Sequence, residues 1–194
     1  MSALEAELFG FPDDEHTDFE VAALRTLLPD PPARVLDAAC GVGRHSVRLA
    51  AAGYDVVGLD SSEFFLERAA ETADDVGVSV QFVHGDIREI PYERAFDVAL
   101  NLLTAWGYYD DEENQRALQS IADALRPGGR FVLELAHRDS LVARYASRDW
   151  SELSDGTLVT QLREFDAVTG VNAVTHQWVD REGSRHERTH RVRL

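Results

Sequence analysis

Residues 34–44, Arg-Val-Leu-Asp-Ala-Ala-Cys-Gly-Val-Gly-Arg, constrain this chain more than any other stretch. Val35, Leu36, Ala38 and Ala39 make a mostly apolar run with one charge inside it, Asp37. Such a run, ending on glycines, reads as a buried strand entering a tight turn. Gly41 and Gly43 let the backbone turn sharply and approach a ligand closely. Residues 45–52 read as the following helix, with Val47, Leu49 and Ala50 on its inner side. A strand, a glycine turn and a helix start together aim backbone N–H groups at a bound molecule.

The remaining chain reads as support for that turn. Residues 4–11 form a short amphipathic segment, and residues 18–28 a helix closed by Pro29, Pro31 and Pro32. Residues 55–60 are a second buried strand that ends on Asp60. Ser61 and Ser62 then cap a helix over 63–73. Residues 78–83 form a third strand that leads into His84-Gly85-Asp86-Ile87. A fourth strand, 96–100, ends at Asn101. The helix over 110–125 stops at Arg126-Pro127-Gly128-Gly129, and a fifth strand follows at 130–135.

This alternation predicts an α/β fold, a doubly wound and mainly parallel sheet with its ligand at the carboxyl ends of the strands. Beyond it, residues 139–146 supply one or two helical turns. Residues 158–165, 171–179 and 185–194 alternate with period two around the turn signals Thr169-Gly170 and Glu182-Gly183. These predict a three-stranded antiparallel β-meander. The expected division is 1–138 for the core and 139–194 for the antiparallel β segment.

Composition narrows the classes of function. The chain has 194 residues, 44% of them hydrophobic, which suits one domain or one with a small addition. Its net charge is −16, and all 19 basic residues are arginine. That balance argues against non-specific binding to nucleic acid or to an anionic membrane. No apolar run reaches about 18 residues and the start does not resemble a secretory signal, so a cytoplasmic protein is expected. The single cysteine allows no disulfide framework and has no partner spacing for a metal.

Taken alone, the glycine turn also fits dinucleotide binders, although Ser46 stands where their third glycine would fall. Asp60 is placed to accept from both ribose hydroxyls, or to favour the dipole of the helix after Ser61. Asp86 is placed to accept from an exocyclic adenine amine with Ile87 against the ring, or to act as a loop acid. Asp37, inside an apolar strand, requires a partner. Anchoring of the glycine-loop backbone or a bound ammonium would supply one.

Together these segments resemble the class I S-adenosylmethionine-dependent methyltransferases from about residue 33 to residue 135. Residues 35–43 resemble the family's first motif, Asp60 its ribose-binding acid and Gly85-Asp86-Ile87 its adenine motif. Residues 96–101 resemble its fourth strand, and Leu125-Arg126-Pro127-Gly128-Gly129 the turn before its fifth. The resemblance implies S-adenosyl-L-methionine as cofactor and S-adenosyl-L-homocysteine as product. It implies a cofactor site of Asp37, Ala39, Gly41, Gly43, Asp60, Ser61, Asp86, Ile87 and Asn101. Arg44 and His45 would meet the cofactor carboxylate or, for Arg44, stand in solvent. Cys40 reads as a buried filler.

Methyl transfer from a sulfonium needs position and exclusion of water more than it needs an acid or base. No decisive base stands out. The weak candidates are Tyr108, His137 and His176, with Tyr109 beside the first, and residues 104–109 are an aromatic wall in waiting. Elements after the fifth strand in the family often form a substrate lid, which with the acidic surface implies a small-molecule methyl acceptor. The segment Asn101-Leu102-Leu103-Thr104 counts against amino-methylation of a nucleobase. A monomer or homodimer is expected. The family's sheet normally closes with two more strands; either two meander strands stand in for them or, as is expected here, the chain lacks the last core strands. Two further readings stay open: a cofactor binder without turnover, and an NAD-dependent oxidoreductase.

Overall fold

In the computed structural model, residues 14–103 and 106–194 are described, so the expected segment at 4–11 and Thr104 and Ala105 lie outside the described residues. The described chain forms two units, one of residues 14–102 and 111–134 and one of residues 103, 106–110 and 135–194.

In the first unit, α1 (Asp14–Arg25) precedes β1 (Arg34–Ala38), α2 (Arg44–Ala51), β2 (Asp55–Asp60), α3 (Glu63–Val76) and β3 (Gln81–His84). A single 3-10 turn (Ile87–Glu89), β4 (Phe96–Asn101), α4 (Asp111–Ala124) and β5 (Leu125–Leu133) complete it. The five strands form one parallel sheet in the order β3-β2-β1-β4-β5. β1 is central, and Val35, Leu36 and Ala38 are fully buried. Burial on both faces explains why this strand reads as an apolar run and not as an alternation. Val21, Leu24 and Leu28 pack with Val35, Leu49, Tyr54, Val56, Val98 and Leu100 in the core.

After β3 the chain crosses to the other side of β1 to make β4. The order therefore reverses between β1 and β4, and open α/β sheets bind their ligands at the carboxyl ends of the strands at such a point.

The turn after α4 differs from expectation. Leu125 already pairs with Phe96, and the register then jumps to Val98 with Arg130. Residues 126–129 thus bulge out of a longer β5 and do not precede it. Asp97 ties the bulge in place, accepting from Arg126 Nη1 at 2.7 Å and from the Arg34 amide at 2.8 Å.

In the second unit, α5 (Arg138–Ala143) is followed by β6 (Arg148–Glu152), β7 (Leu158–Asp166), β8 (Val171–Val179) and β9 (Arg185–Arg193). The sheet is antiparallel in the order β6-β7-β8-β9. It therefore has four strands where three were expected. β6, with the sequence Arg-Asp-Trp-Ser-Glu, has one large apolar residue, Trp150, and that residue is exposed. No buried stripe announces it. The two expected hairpin turns are present: Asp166 Oδ1 accepts from the Val168 and Thr169 amides, and Asp180 Oδ1 from those of Glu182 and Ser184. The antiparallel strands make their own sheet and extend no edge of the parallel one. Among the described residues no helix is long and apolar enough to cross a membrane.

Candidate cofactor site

The turn after β1 is held from β2. The Ala39 and Cys40 amides both donate to Leu59 O, at 2.7 and 3.0 Å, and the Gly43 amide donates to Cys40 O at 3.0 Å. Ala39, Gly41 and Gly43 all have positive φ, at 65°, 55° and 72°. For Ala39 this conformation is strained, and strain of this kind gathers at functional turns.

Gly43 is needed for a second reason. A Cβ there would lie 2.7 Å from Ala69 Cβ on α3 and 3.1 Å from the Phe82 ring on β3. Gly43→Ala is therefore expected to lower stability by roughly 3 kcal/mol, the sum of left-handed backbone strain and overpacking. A urea titration measures it, and a midpoint equal to the unaltered chain's would reject this packing argument.

Asp60 ends β2 and is nearly buried. Its Oδ2 accepts from the Gly41 amide at 2.8 Å and its Oδ1 from the Ser62 amide at 2.9 Å. Burial pushes its carboxyl up, against the pull of those amides, and the Asp37 charge adds to the rise. One side chain thus joins the glycine turn to the start of α3, where Ser62 Oγ caps the Phe65 amide at 3.3 Å. Each carboxylate oxygen keeps further acceptor capacity. Ser61 beside it is exposed.

Asp37 finds its partner at the position where a dinucleotide binder would have its third glycine. Ser46 Oγ donates to Asp37 Oδ2 at 2.6 Å, and both side chains are buried. Burial raises the Asp37 carboxyl, while His45, Ser46 and Arg44 work against the rise. Asp37 therefore anchors the first turn of α2. Cys40 is buried, and burial with the charges of Asp37 and Asp60 lifts its thiol well above the usual range. It is held as the thiol, which suits the expected filler and not a nucleophile.

Arg44 does not stand in solvent. Its Nη1 donates to Thr17 Oγ1 at 2.8 Å and to Glu20 Oε2 at 2.5 Å, both on α1. His45 Nε2 meets the same Glu20 oxygen at 3.1 Å, and burial keeps the imidazole below its ordinary value. Burial pushes Glu20 up, but bonds from Arg44 and His45 outweigh it and hold the carboxyl low. Arg44 Nη2 is buried without a partner among the described residues.

At the end of β3, Asp86 caps the 3-10 turn by accepting from the Arg88 amide at 2.8 Å. Its Oδ2 also accepts from Arg88 Nη2 at 2.6 Å, and these bonds hold its carboxyl below the usual range. Ile87 is buried beside it. At the end of β4, Asn101 is fully buried. Its Nδ2 donates to Ala38 O at 2.9 Å, across the point where the strand order reverses. Its Oδ1 has no partner among the described residues.

The carboxyl ends of β1, β2, β3 and β4 thus carry Ala39, Gly41 and Gly43, Asp60, Asp86 and Asn101, all in the first unit. Tyr108, His137 and His176 all fall in the second. There His176 and His190 stack at 5.4 Å, with the Tyr108 ring 6.1 Å from His190. His137 sits at the N-cap of α5. The sequence reading missed Glu20, which lies on an ordinary amphipathic helix, and His190, whose signal was its place in the period-two alternation.

Residues 35–129 match the family described as Methyltransferase domain. A demethylmenaquinone methyltransferase of Clavibacter sepedonicus is 36% identical over 118 residues, covering 59% of this chain and 46% of that protein. A glycine/sarcosine N-methyltransferase of Aphanothece halophytica is 30% identical over 122 residues, covering 61% and 46%. The chain spans about half the length of these relatives. Among solved structures, the CcbJ methyltransferase of Streptomyces caelestis superposes with a TM-score of 0.76 at 23% identity, covering 97% of this chain and 78% of the other. At that identity the likeness shows the fold.

A Rossmann-like core with these motifs at its strand ends defines a class I methyltransferase domain. The match over residues 35–129 and these relatives support a class I S-adenosylmethionine-dependent methyltransferase, with S-adenosylmethionine as the cofactor.

Proposed function

We propose that this protein transfers the methyl group of S-adenosylmethionine to a small-molecule acceptor. The observation that carries the reading is Asn101 Oδ1, a buried acceptor without a partner among the described residues, at the carboxyl end of β4 where the strand order reverses. Leaving such an atom unpaired costs about 1–3 kcal/mol, and a ligand ammonium would satisfy it. The donor set fits the cofactor at its other points. Asp60 has acceptor capacity left for two ribose hydroxyls, with Ser61 following it on the same turn. Asp86 has an acidic group for the adenine amine, and Ile87 an apolar side chain for the ring. Ala39, Gly41 and Gly43 give the backbone its close approach. Asp37 works through Ser46, holding the first turn of α2 so that its amides stay aimed at the ligand.

The bound cofactor supplies an electrophilic methyl group on a sulfonium. The protein's own part is to bind, orient and exclude water, which is where this reaction gains most of its rate. Burial holds Cys40 as the thiol, which disfavours a role as nucleophile, and methyl transfer requires no covalent enzyme intermediate. The names of the relatives, a demethylmenaquinone and a glycine/sarcosine methyltransferase, and the net charge of −16 support a small acceptor over nucleic acid. The test incubates the full chain and S-adenosylmethionine with a panel of amines, phenols and quinols, and measures S-adenosylhomocysteine. Release that depends on one acceptor class is expected. Cofactor binding without acceptor-dependent release across the panel would sink transfer and leave a binding protein.

A further inference from the structure

The 3-10 turn after β3 is tied to one face of α4. Arg88 Nη1 donates to Glu113, Arg116 donates to Glu89, and the Ile90 amide donates to Ser120 Oγ at 2.8 Å. Glu113, Arg116 and Ser120 recur at helical spacing and so share a face of α4. Arg88, Glu89 and Ile90 are thus each held by that helix.

Within this frame Arg88 grips Asp86 side-on. Its Nε donates to Asp86 Oδ1 at 2.9 Å and its Nη2 to Oδ2 at 2.6 Å, while its amide donates to Oδ1 at 2.8 Å. The amide bond alone caps the turn, so the guanidinium goes beyond what the cap needs. An ionised carboxylate has about four acceptor positions, shared equally by its oxygens. Those on Oδ1 are filled, and so is one on Oδ2. Among the described residues a single position stays open, on Oδ2. The planar fork fixes the plane of the carboxylate and with it the direction of that position. Its bonds also hold the Asp86 carboxyl below the usual range and so keep it ionised. An ionised oxygen accepts an N–H and repels a carbonyl oxygen.

We propose that Arg88 is a positioning residue through which Asp86 selects a nucleobase with an exocyclic amine over one with a carbonyl at the same place. The role rests on the methyltransferase reading, in which Asp86 meets the adenine amine.

The test titrates the full chain by calorimetry with S-adenosylhomocysteine and with S-inosylhomocysteine, which carries a carbonyl where adenine has its amine. The unaltered chain is expected to prefer the amine at least about tenfold, the scale of one charge-assisted hydrogen bond. Arg88→Met is expected to cut that preference to about threefold or less, because the freed carboxylate turns from the carbonyl toward the ring N–H beside it. Arg88→Lys keeps the stem and the charge, and serves where Arg88→Met does not fold. Its ammonium is a point charge and not a fork, so the preference is expected to fall at least about threefold there too. Equal weakening of both ligands by either substitution would mean that Arg88 only supports the fold, and would overturn the proposal. An unaltered chain that binds both ligands alike would overturn it as well. An unaltered chain that binds no S-adenosylhomocysteine would sink the methyltransferase reading itself, and this role with it.

Discussion

Asp60→Ala is expected to weaken S-adenosylmethionine binding about a hundredfold. The proposed ribose contacts are two charge-assisted hydrogen bonds, each worth about 1.5–3 kcal/mol when the partner is buried, and each 1.4 kcal/mol is a factor of ten. The same carboxylate holds the Gly41 and Ser62 amides, so its loss also loosens the glycine turn. Stability should suffer less than affinity, because the buried carboxyl is itself strained by desolvation and its removal relieves that cost. Asp60→Asn separates the two effects. It keeps one acceptor oxygen and loses the charge, and an intermediate affinity is expected. Calorimetry with S-adenosylhomocysteine reads both variants, and unchanged affinity in Asp60→Ala would reject the ribose role.

Acidification should destabilise the protein well before its carboxylates titrate. His176 is held to about 4 in the fold, and His190 is also lowered, chiefly by burial. An unfolded histidine titrates near 6.5. A lowered folded value means that the unfolded chain takes up protons first. The stability these imidazoles contribute is thus present above about pH 6.5 and is lost as pH falls toward 4. For His176 alone the loss between about pH 7 and about pH 5 is roughly 2 kcal/mol. Glu20 and Asp86, held below their ordinary values by their arginine partners, add their loss only at lower pH. Thermal unfolding across this range checks the sign. His176→Gln should flatten the drop, and a variant with the same pH slope as the unaltered chain would contradict the assignment.

What was legible in the sequence follows from burial. β1, β2 and β4 are covered on both faces, so their apolar runs stood out, as did the acid that ends β2, and the alternation with helices fixed the parallel sheet. β8 was legible because its two faces differ in burial and its residues alternate. β6 was not, because its pairing with β7 is made by backbone groups while its side chains carry almost no apolar pattern. Pro127 and the two glycines after it read correctly as a break in regular structure. Whether that break precedes a strand or bulges from one depends on the register with β4, which local sequence does not encode.

In the site, residue types were legible and partners were not. Asp37 declared its need for a partner by sitting in an apolar strand. Ser46, nine residues on, answered it only once α2 was wound against β1. Arg44 looked like a solvent or ligand contact, and it belongs to Glu20 on α1 through a contact 24 residues long in sequence. His190 carried only its place in the period-two alternation, and its stacking on His176 arises from the register of β8 and β9.

The central claim is that the strand ends of the first unit hold a sulfonium nucleoside and not a dinucleotide. Calorimetric titration of the full chain with S-adenosylmethionine, and separately with NAD, tests it most directly. One-to-one binding of S-adenosylmethionine with no measurable heat from NAD is the predicted result, since Ser46 stands where a dinucleotide binder has its third glycine, the one that allows close helix–strand packing. Binding of NAD with none of S-adenosylmethionine would contradict it.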